Sequence, residues 1–182
     1  MAPEPLPEAS IADLVEEGEL IASSSVRLAV KNLIIMGSLS EGLDYDEQRY
    51  TQAARDELLE LAREKDDDAD RVAQDAAQAS ERAGRGQSFH DYREVDGAIL
   101  ERRELYARQL ASHLRTLADD EGYARGLAMR ARESAWDEIA TSVKAKLARA
   151  NAPLDEGYAE HRDERLRLVL GDLRKLERRS AS

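Results

Sequence analysis

Cysteine is missing from this sequence, and aromatic residues are scarce. None of the 182 residues is cysteine, and only one is tryptophan and one phenylalanine. The first absence excludes a disulfide framework, a thiolate nucleophile and a cysteine-based zinc site. Aromatic residues make up 4% of the chain and apolar residues 42%. A core of this composition is built mainly from alanine and leucine, which suits close packing of helices.

The sequence also has no long uncharged apolar run. The most apolar stretch, residues 26–39, is interrupted by Arg27, Lys31 and Asn32. It therefore falls short of the ~20 apolar residues that a transmembrane helix needs. Residues 1–9 have neither the basic nor the apolar region of a signal peptide. We expect a cytoplasmic protein that does not contact a membrane.

Acidic residues outnumber basic ones. The net charge is −11, and charged residues make up 36% of the chain, above the roughly 25% of an average globular domain. Nucleic-acid binding depends on clustered lysine and arginine that neutralise phosphates. The charge balance argues against direct phosphate contact with DNA or RNA.

Apolar residues recur with helical spacing along most of the chain, and no stretch alternates with a period of two. This pattern predicts an all-α fold, an elongated bundle of about five helices. Ser10, Asp44 and Ser88 are expected as N-terminal caps. Between a flexible tail at 1–9 and a frayed end at 180–182, we expect one helical domain over 10–179. Its helices are predicted at about 10–37, 45–83, 89–118, 121–150 and 155–178.

The second predicted helix carries a seam of small side chains. Counting Lys65, its positions are spaced alternately by four and three residues, the heptad period of helices that pack side by side. Such small residues favour a long antiparallel helical hairpin, formed either within one chain or between two copies. The predicted packing seam consists of Leu58, Ala62, Ala69, Val72, Ala76 and Ala79.

The same helix carries a dense acidic face. Residues 41–81 hold fourteen acids and five bases. Because like charges at this density destabilise a helix, a basic partner is one interpretation and simple solvation is another. The arginine-rich residues 161–179 could supply that basic surface within the chain. The possible partner-binding face consists of Asp56, Glu57, Glu60, Glu64, Asp67, Asp68, Asp70 and Asp75.

No known catalytic or metal motif is present. Di-iron bundles need a Glu-x-x-His pair on each of two helices, but the residues three before His90, His113 and His161 are not glutamate. There is no phosphate-binding loop, no G-x-S-x-G and no H-E-x-x-H. We therefore predict no catalytic residue, no bound metal and no cofactor, although a triad dispersed along the chain is not excluded by sequence.

Two segments carry a resemblance to a known group. Residues 9–18 (ASIADLVEEG) and 26–32 (VRLAVKN), followed by Asp44-Tyr45-Asp46, resemble short uncharacterised helical proteins from actinobacteria, to which the label "asparagine synthase" is sometimes attached. Enzymes with that activity resemble one another in an N-terminal cysteine nucleophile and a Ser-Gly-Gly-x-Asp-Ser loop. This chain contains neither, so the resemblance implies a helical protein and not that activity.

Three functions fit these observations. The first is a non-catalytic structural or interaction protein that self-associates or docks on a larger protein assembly. The second is a small all-α enzyme or metal-binding bundle that uses carboxylates alone. The third is an acidic regulator that binds a basic protein partner through the acidic face. The sequence favours the first, because it offers a long seam and no catalytic motif.

Overall fold

The computed structural model describes residues 9–84, 92–151, 167–172 and 174. Within these residues the protein is all-α and contains no strand, as predicted. The principal helices are α1 (Ile11–Met36), α2 (Glu47–Gly84), α3 (Tyr92–Asp119) and α4 (Glu121–Asn151). They form a packed bundle. Ser88 and most of the predicted helix at 155–178 lie outside the described residues, as do the tails.

The first helix begins at the predicted capping box. Ser10 Oγ accepts a hydrogen bond from the Asp13 backbone N–H at 3.1 Å, and Asp13 Oδ2 accepts one from the Ser10 N–H at 3.0 Å. These bonds satisfy two backbone donors that a helix start leaves free. The hydrogen bond from Ser10 also lowers the pKa of Asp13.

The first helix ends in a π-helical turn, Gly37–Glu41. Gly42 closes it with φ 72°, in the left-handed region that favours glycine. The N–H groups of Gly42 and Leu43 both donate to the Gly37 carbonyl. The chain then turns back toward α2.

The cap of α2 differs from the prediction. Asp46, and not Asp44, accepts a hydrogen bond from the Arg49 N–H at 3.1 Å, and the helix begins at Glu47. The reason is the packing of Tyr45, whose ring stacks on Tyr50 with 5.2 Å between centroids. Residues 42–46 have no helical conformation, which moves the helix start two residues along.

A single non-helical residue separates α3 from α4. Asp120 still donates its N–H to the Thr116 carbonyl, while its own carbonyl accepts from Ala124. Its side-chain Oδ1 accepts from the Tyr123 N–H at 3.1 Å and so caps α4. The predicted break at residues 119–120 is therefore confirmed.

Contacts between helices define their directions. Along α2, Glu47 pairs with Arg125 of α4, while Arg55, Asp66 and Asp70 pair in turn with Asp119, Arg115 and Arg108 of α3. As the residue numbers increase along α2, those of its partners on α4 and α3 decrease, so α2 is antiparallel to both helices. These two helices consequently follow one another along α2.

The first helix runs the other way, parallel to α3 and α4. Its Ser23 contacts Tyr123 and, two turns later, Lys31 contacts Glu138. Near its start, α1 approaches α3 closely: a Cβ added to Gly18 would lie 2.8 Å from Leu110 Cδ2. The architecture is thus a bundle in which α1, α2 and the α3–α4 pair all pack against one another.

The core is built from alanine and branched aliphatic side chains, as the composition predicts. On α1 the buried line runs in steps of four through Gly18, Ala22, Val26, Val30 and Ile34. On α2 the packing seam buries Leu58, Ala62 and Ala69 completely, while Val72 and Ala76 are half-buried. The side chain of Ala79 lies outside the described set. Since α2 packs along α3, the seam closes within the chain.

Candidate interaction surface

The first helix exposes a second apolar face, opposite its buried line. Leu20, Ile21 and Leu28 are 65%, 62% and 54% exposed. Together with Glu17, Ser24 and Ser25 they line a shallow groove along the outside of α1. These six residues are called the open face below. Further apolar side chains of the same segment are also exposed: Leu33, Met36 and Leu39.

The two serines add no unsatisfied polar groups to the open face. Ser24 Oγ donates to the Leu20 carbonyl at 2.9 Å, and Ser25 Oγ donates to the Ile21 carbonyl at 3.1 Å. Because each hydroxyl is bonded to its own helix, a partner can cover these positions without stranding a donor. These small side chains lie at the centre of the groove, where Arg27 Nη2 also donates to Ser24 Oγ at 3.4 Å.

Charges along α1 are separated by sign. Asp13, Glu16, Glu17 and Glu19 lie in its first half, and its only two bases, Arg27 and Lys31, lie in its second half. Lys31 Nζ donates to Glu138 Oε2 of α4 at 2.6 Å. The helix is therefore acidic at one end and basic at the other.

Two apolar faces on one helix give it a high hydropathy. Residues Ile11–Leu39 are long and apolar enough to cross a membrane by length and composition alone, with a mean hydropathy of 1.3 and 28% of the best window buried. Core helices of soluble proteins meet the same criterion. One side of α1 packs in this bundle, and the expectation of no membrane contact stays a prediction.

The acidic face of α2 is divided by the fold. Asp70 points to α3, where Arg108 Nη2 donates to its Oδ1 at 3.1 Å. The hydrogen bonds that Arg108 donates to Glu104 and Asp70 raise the pKa of Arg108. Asp66, which is not among the residues predicted for the acidic face, pairs with Arg115. The chain's own arginines thus neutralise the side of α2 next to α3.

Other acids of this face are paired along α2 itself. Asp68 accepts from Lys65 at 3.0 Å and also pairs with Arg71, and the Lys65 hydrogen bond lowers the pKa of Asp68. Glu60 pairs with Arg63. Asp56 accepts a hydrogen bond from Gln52 at 2.8 Å. These local pairs reduce the charge available to a basic partner.

Four carboxylates of the predicted face have no ion pair or hydrogen bond among the described residues: Glu57, Glu64, Asp67 and Asp75. In the same part of the chain, no group of three or more acidic, histidine or cysteine side chains is arranged to hold a metal ion. The acidic face is consequently a mixture of internal pairs and outward charges.

A polar cluster that sequence reasoning missed joins three helices. Glu19 of α1 accepts from Tyr123 OH at 3.0 Å and lies 2.7 Å from His113 Nε2, and Tyr123 OH lies 2.6 Å from Ser23 Oγ. The sequence placed His113 only at the edge of the core. Its partner is 94 residues away in the chain, so no local spacing could have indicated the pair.

The electrostatics of this cluster follow from its contacts. The hydrogen bond to His113 lowers the pKa of Glu19, and Tyr123 adds to the effect. Burial raises the pKa of Tyr123. A carboxylate beside an imidazole can exchange protons in an enzyme. Here the groups bond to one another across α1, α3 and α4, an arrangement suited to fastening α1 to the bundle.

Comparison of this chain with protein-family models, with curated proteins and with solved structures finds no match. The candidate surface is therefore argued from its geometry alone.

Proposed function

We propose that this protein is a non-catalytic structural or interaction protein that docks through the open face of α1, on another copy of itself or on a larger protein assembly. The observation that carries the proposal is the exposure of Leu20, Ile21 and Leu28 by more than half on one side of a helix whose other side is buried. Contiguous exposed apolar surface marks interaction sites in soluble proteins.

The surroundings of the open face support a docking role. The buried line through Val26, Val30 and Ile34 fixes α1 in the bundle, and the Glu19 cluster fastens its first half to α3 and α4. A surface held this way is already ordered before binding, which reduces the entropy lost on association. The open face is thus a rigid apolar platform.

The acidic face of α2 is the weaker candidate for a partner. Asp68 and Asp70 already have basic partners within the chain. Exposed ion pairs with a second protein would also be screened by salt. An apolar contact through α1 does not have this limitation.

The test compares two matched double variants of the full chain. Leu20→Gln with Leu28→Gln removes the apolar character of the open face, and Leu105→Gln with Met129→Gln removes two similarly exposed side chains from α3 and α4. Complexes are measured by size-exclusion chromatography with light scattering, for the purified chain and in native lysate.

We expect the wild type and the α3/α4 variant to run above monomer mass, alone or with a partner, and the α1 variant to run as a monomer. A monomeric wild type with no complex in lysate would contradict the proposal. Equal loss of association in both variants would contradict it as well.

A further inference from the structure

Two apolar and two charged residues of α1 are placed symmetrically around Ser24, three of them on the open face and the fourth, Lys31, where α1 meets α4. Leu20 and Leu28 lie four residues before and after it, and Glu17 and Lys31 lie seven before and after it. Positions four and seven residues apart fall on the same side of an α-helix. Leu20 and Leu28 are therefore symmetric about Ser24 and the charges at positions 17 and 31 are opposite, whereas Ile21, three residues before Ser24, is matched by Arg27.

We infer that the open face binds the α1 helix of a second copy of this chain, antiparallel, with the two helices crossing at Ser24. This inference rests on the proposed function and names its partner. A two-fold axis through Ser24 places Leu20 of each copy opposite Leu28 of the other. It also brings each Glu17 to the Lys31 of the other copy.

Charge complementarity selects the antiparallel orientation. A parallel pair would place the acidic first halves of α1 together and the basic second halves together, and like charges in contact are destabilising. In the antiparallel pair, the end carrying Glu16 and Glu17 meets the end carrying Arg27 and Lys31. One face then recognises itself, as a two-fold interface requires.

The edge of the proposed interface can accommodate the incoming carboxylate. Lys31 already donates to Glu138 at 2.6 Å, but an ammonium group has three donors. Glu17 of the second copy can therefore share Lys31 with Glu138. At the centre, Ser24 is small, and its hydroxyl donates to the Leu20 carbonyl and accepts from Arg27 Nη2. Close approach of the two helices therefore requires the Arg27 side chain to turn away from Ser24.

The absence of cysteine from the natural chain makes this geometry directly testable. Two cysteines form a disulfide only when their Cα atoms approach within about 7 Å. The Ser24→Cys chain is oxidised under mild conditions beside the Ser134→Cys chain. Ser134 is a matched control, because it is an exposed helical serine whose hydroxyl also bonds to a carbonyl four residues earlier.

We expect a disulfide-linked dimer from Ser24→Cys, in several-fold higher yield than from Ser134→Cys. The orientation is tested by mixing Leu20→Cys and Leu28→Cys chains. Antiparallel helices link the two different chains to each other. A parallel pair would instead link each variant to itself and would overturn the inferred orientation.

A charge variant measures the edge contact. Glu17→Lys places a base against Lys31 and is expected to weaken the dimer about two- to five-fold, the range of an exposed ion pair. Sedimentation equilibrium at low and high salt gives the dissociation constant. An unchanged constant at low salt would overturn the predicted contact between Glu17 and Lys31.

Other occupants would give different results. In one outcome, Ser24→Cys links no better than its control while complexes with another protein that depend on α1 persist. That result would show that the partner is not a second copy of the chain, and the proposed function would stand. The chain can also be sedimented with vesicles of phosphatidylcholine and phosphatidylglycerol. Co-sedimentation of the wild type that is lost in the Leu20→Gln, Leu28→Gln chain would identify a membrane as the occupant. It would overturn both the inferred dimer and the proposed function. A monomeric chain whose α1 binds nothing would also overturn both.

Discussion

Helices α1 and α2 lie in the same bundle, but they expose different kinds of side chain to solvent. The seam of α2 buries Leu58 and Ala62, and the outward side of the same helix carries charge. The buried line of α1 passes through Val26 and Val30, yet its outward side is apolar again. The difference is that α2 exposes charged side chains to solvent, whereas α1 exposes apolar ones, and the proposed docking role rests on this contrast.

The charged residues of the two helices are also arranged differently. Acids of α2 meet arginines of the chain itself, as in the pairs of Asp66 with Arg115 and Asp70 with Arg108. On α1 the acids and bases are separated along the helix, and the open face lies between the two groups. Charge forms contacts inside the bundle for α2, and for α1 it would favour the antiparallel orientation of the proposed pair.

Truncation of buried side chains should have the largest effect and should not distinguish the two helices. Ile34→Ala on α1 and Leu58→Ala on α2 each remove a fully buried side chain and should cost about 2–5 kcal/mol of unfolding free energy. The free energy is measured by urea denaturation at a concentration where the chain is monomeric.

The matched control on the outward side of α1 is Leu28→Ala, which should cost less than about 0.5 kcal/mol in the monomer. It should destabilise only at concentrations where dimer forms, because association adds to apparent stability. A loss as large as that of Ile34→Ala in the monomer would show that the open face is covered within one chain.

The attachment of α1 through Glu19 should have an intermediate effect. Replacing Glu19 with Gln removes a charged acceptor of hydrogen bonds from His113 and Tyr123, at a cost of about 1–2 kcal/mol near neutral pH. Because the folded pKa of Glu19 is lowered, its contribution is complete above the ordinary glutamate pKa of roughly 4.3 and is lost as the pH falls through the folded pKa.

Urea denaturation from neutral to acidic pH measures this contribution. The wild type should lose stability on acidification more steeply than Glu19→Gln. Replacing Glu17, an exposed carboxylate on the open face, with Gln is the control and should leave the pH dependence of the monomer unchanged. If the Glu17 and Glu19 variants behave alike, the cluster does not fasten α1.

The ion pairs of α2 should have the smallest effect. Asp70→Asn removes one exposed pair with Arg108, whose side chains are 61% and 47% exposed. The expected loss is about 0–1 kcal/mol, and it should disappear in high salt. Thermal denaturation at low and high salt checks this. A large, salt-independent loss would indicate that α2 depends on its charges as much as on its seam.

Local patterns predicted most of the fold. The cap at Ser10 and the break at Asp120 each depend on residues close in sequence, and both are confirmed. Of the predicted α2 seam, Leu58, Ala62 and Ala69 are buried. The Asp44 cap is wrong, because Asp46 also offers a carboxylate and the choice between them is made by Tyr45 packing on Tyr50. Such a tertiary contact leaves no local signal.

The candidate surface was harder to predict. Leu33 and Met36 continue the helical spacing of the buried Gly18 and Ala22 along α1, but they are 45% and 60% exposed. Val30 and Ile34 are buried instead. Since α1 is apolar on several sides, its periodicity does not specify which side meets the bundle. The orientation is set by contacts with α3 and α4, and the open face becomes visible only once they are known.

The one-residue interruption at Asp120 has a consequence for the shape of an assembly. It lets α4 continue in the direction of α1 beyond the point where the two copies would cross. With the two α1 helices antiparallel, the α4 helices, each about 46 Å long, leave that crossing in opposite directions. In the proposed dimer the two Asn151 residues would therefore lie near opposite ends of the pair, which would make the dimer longer than a single bundle.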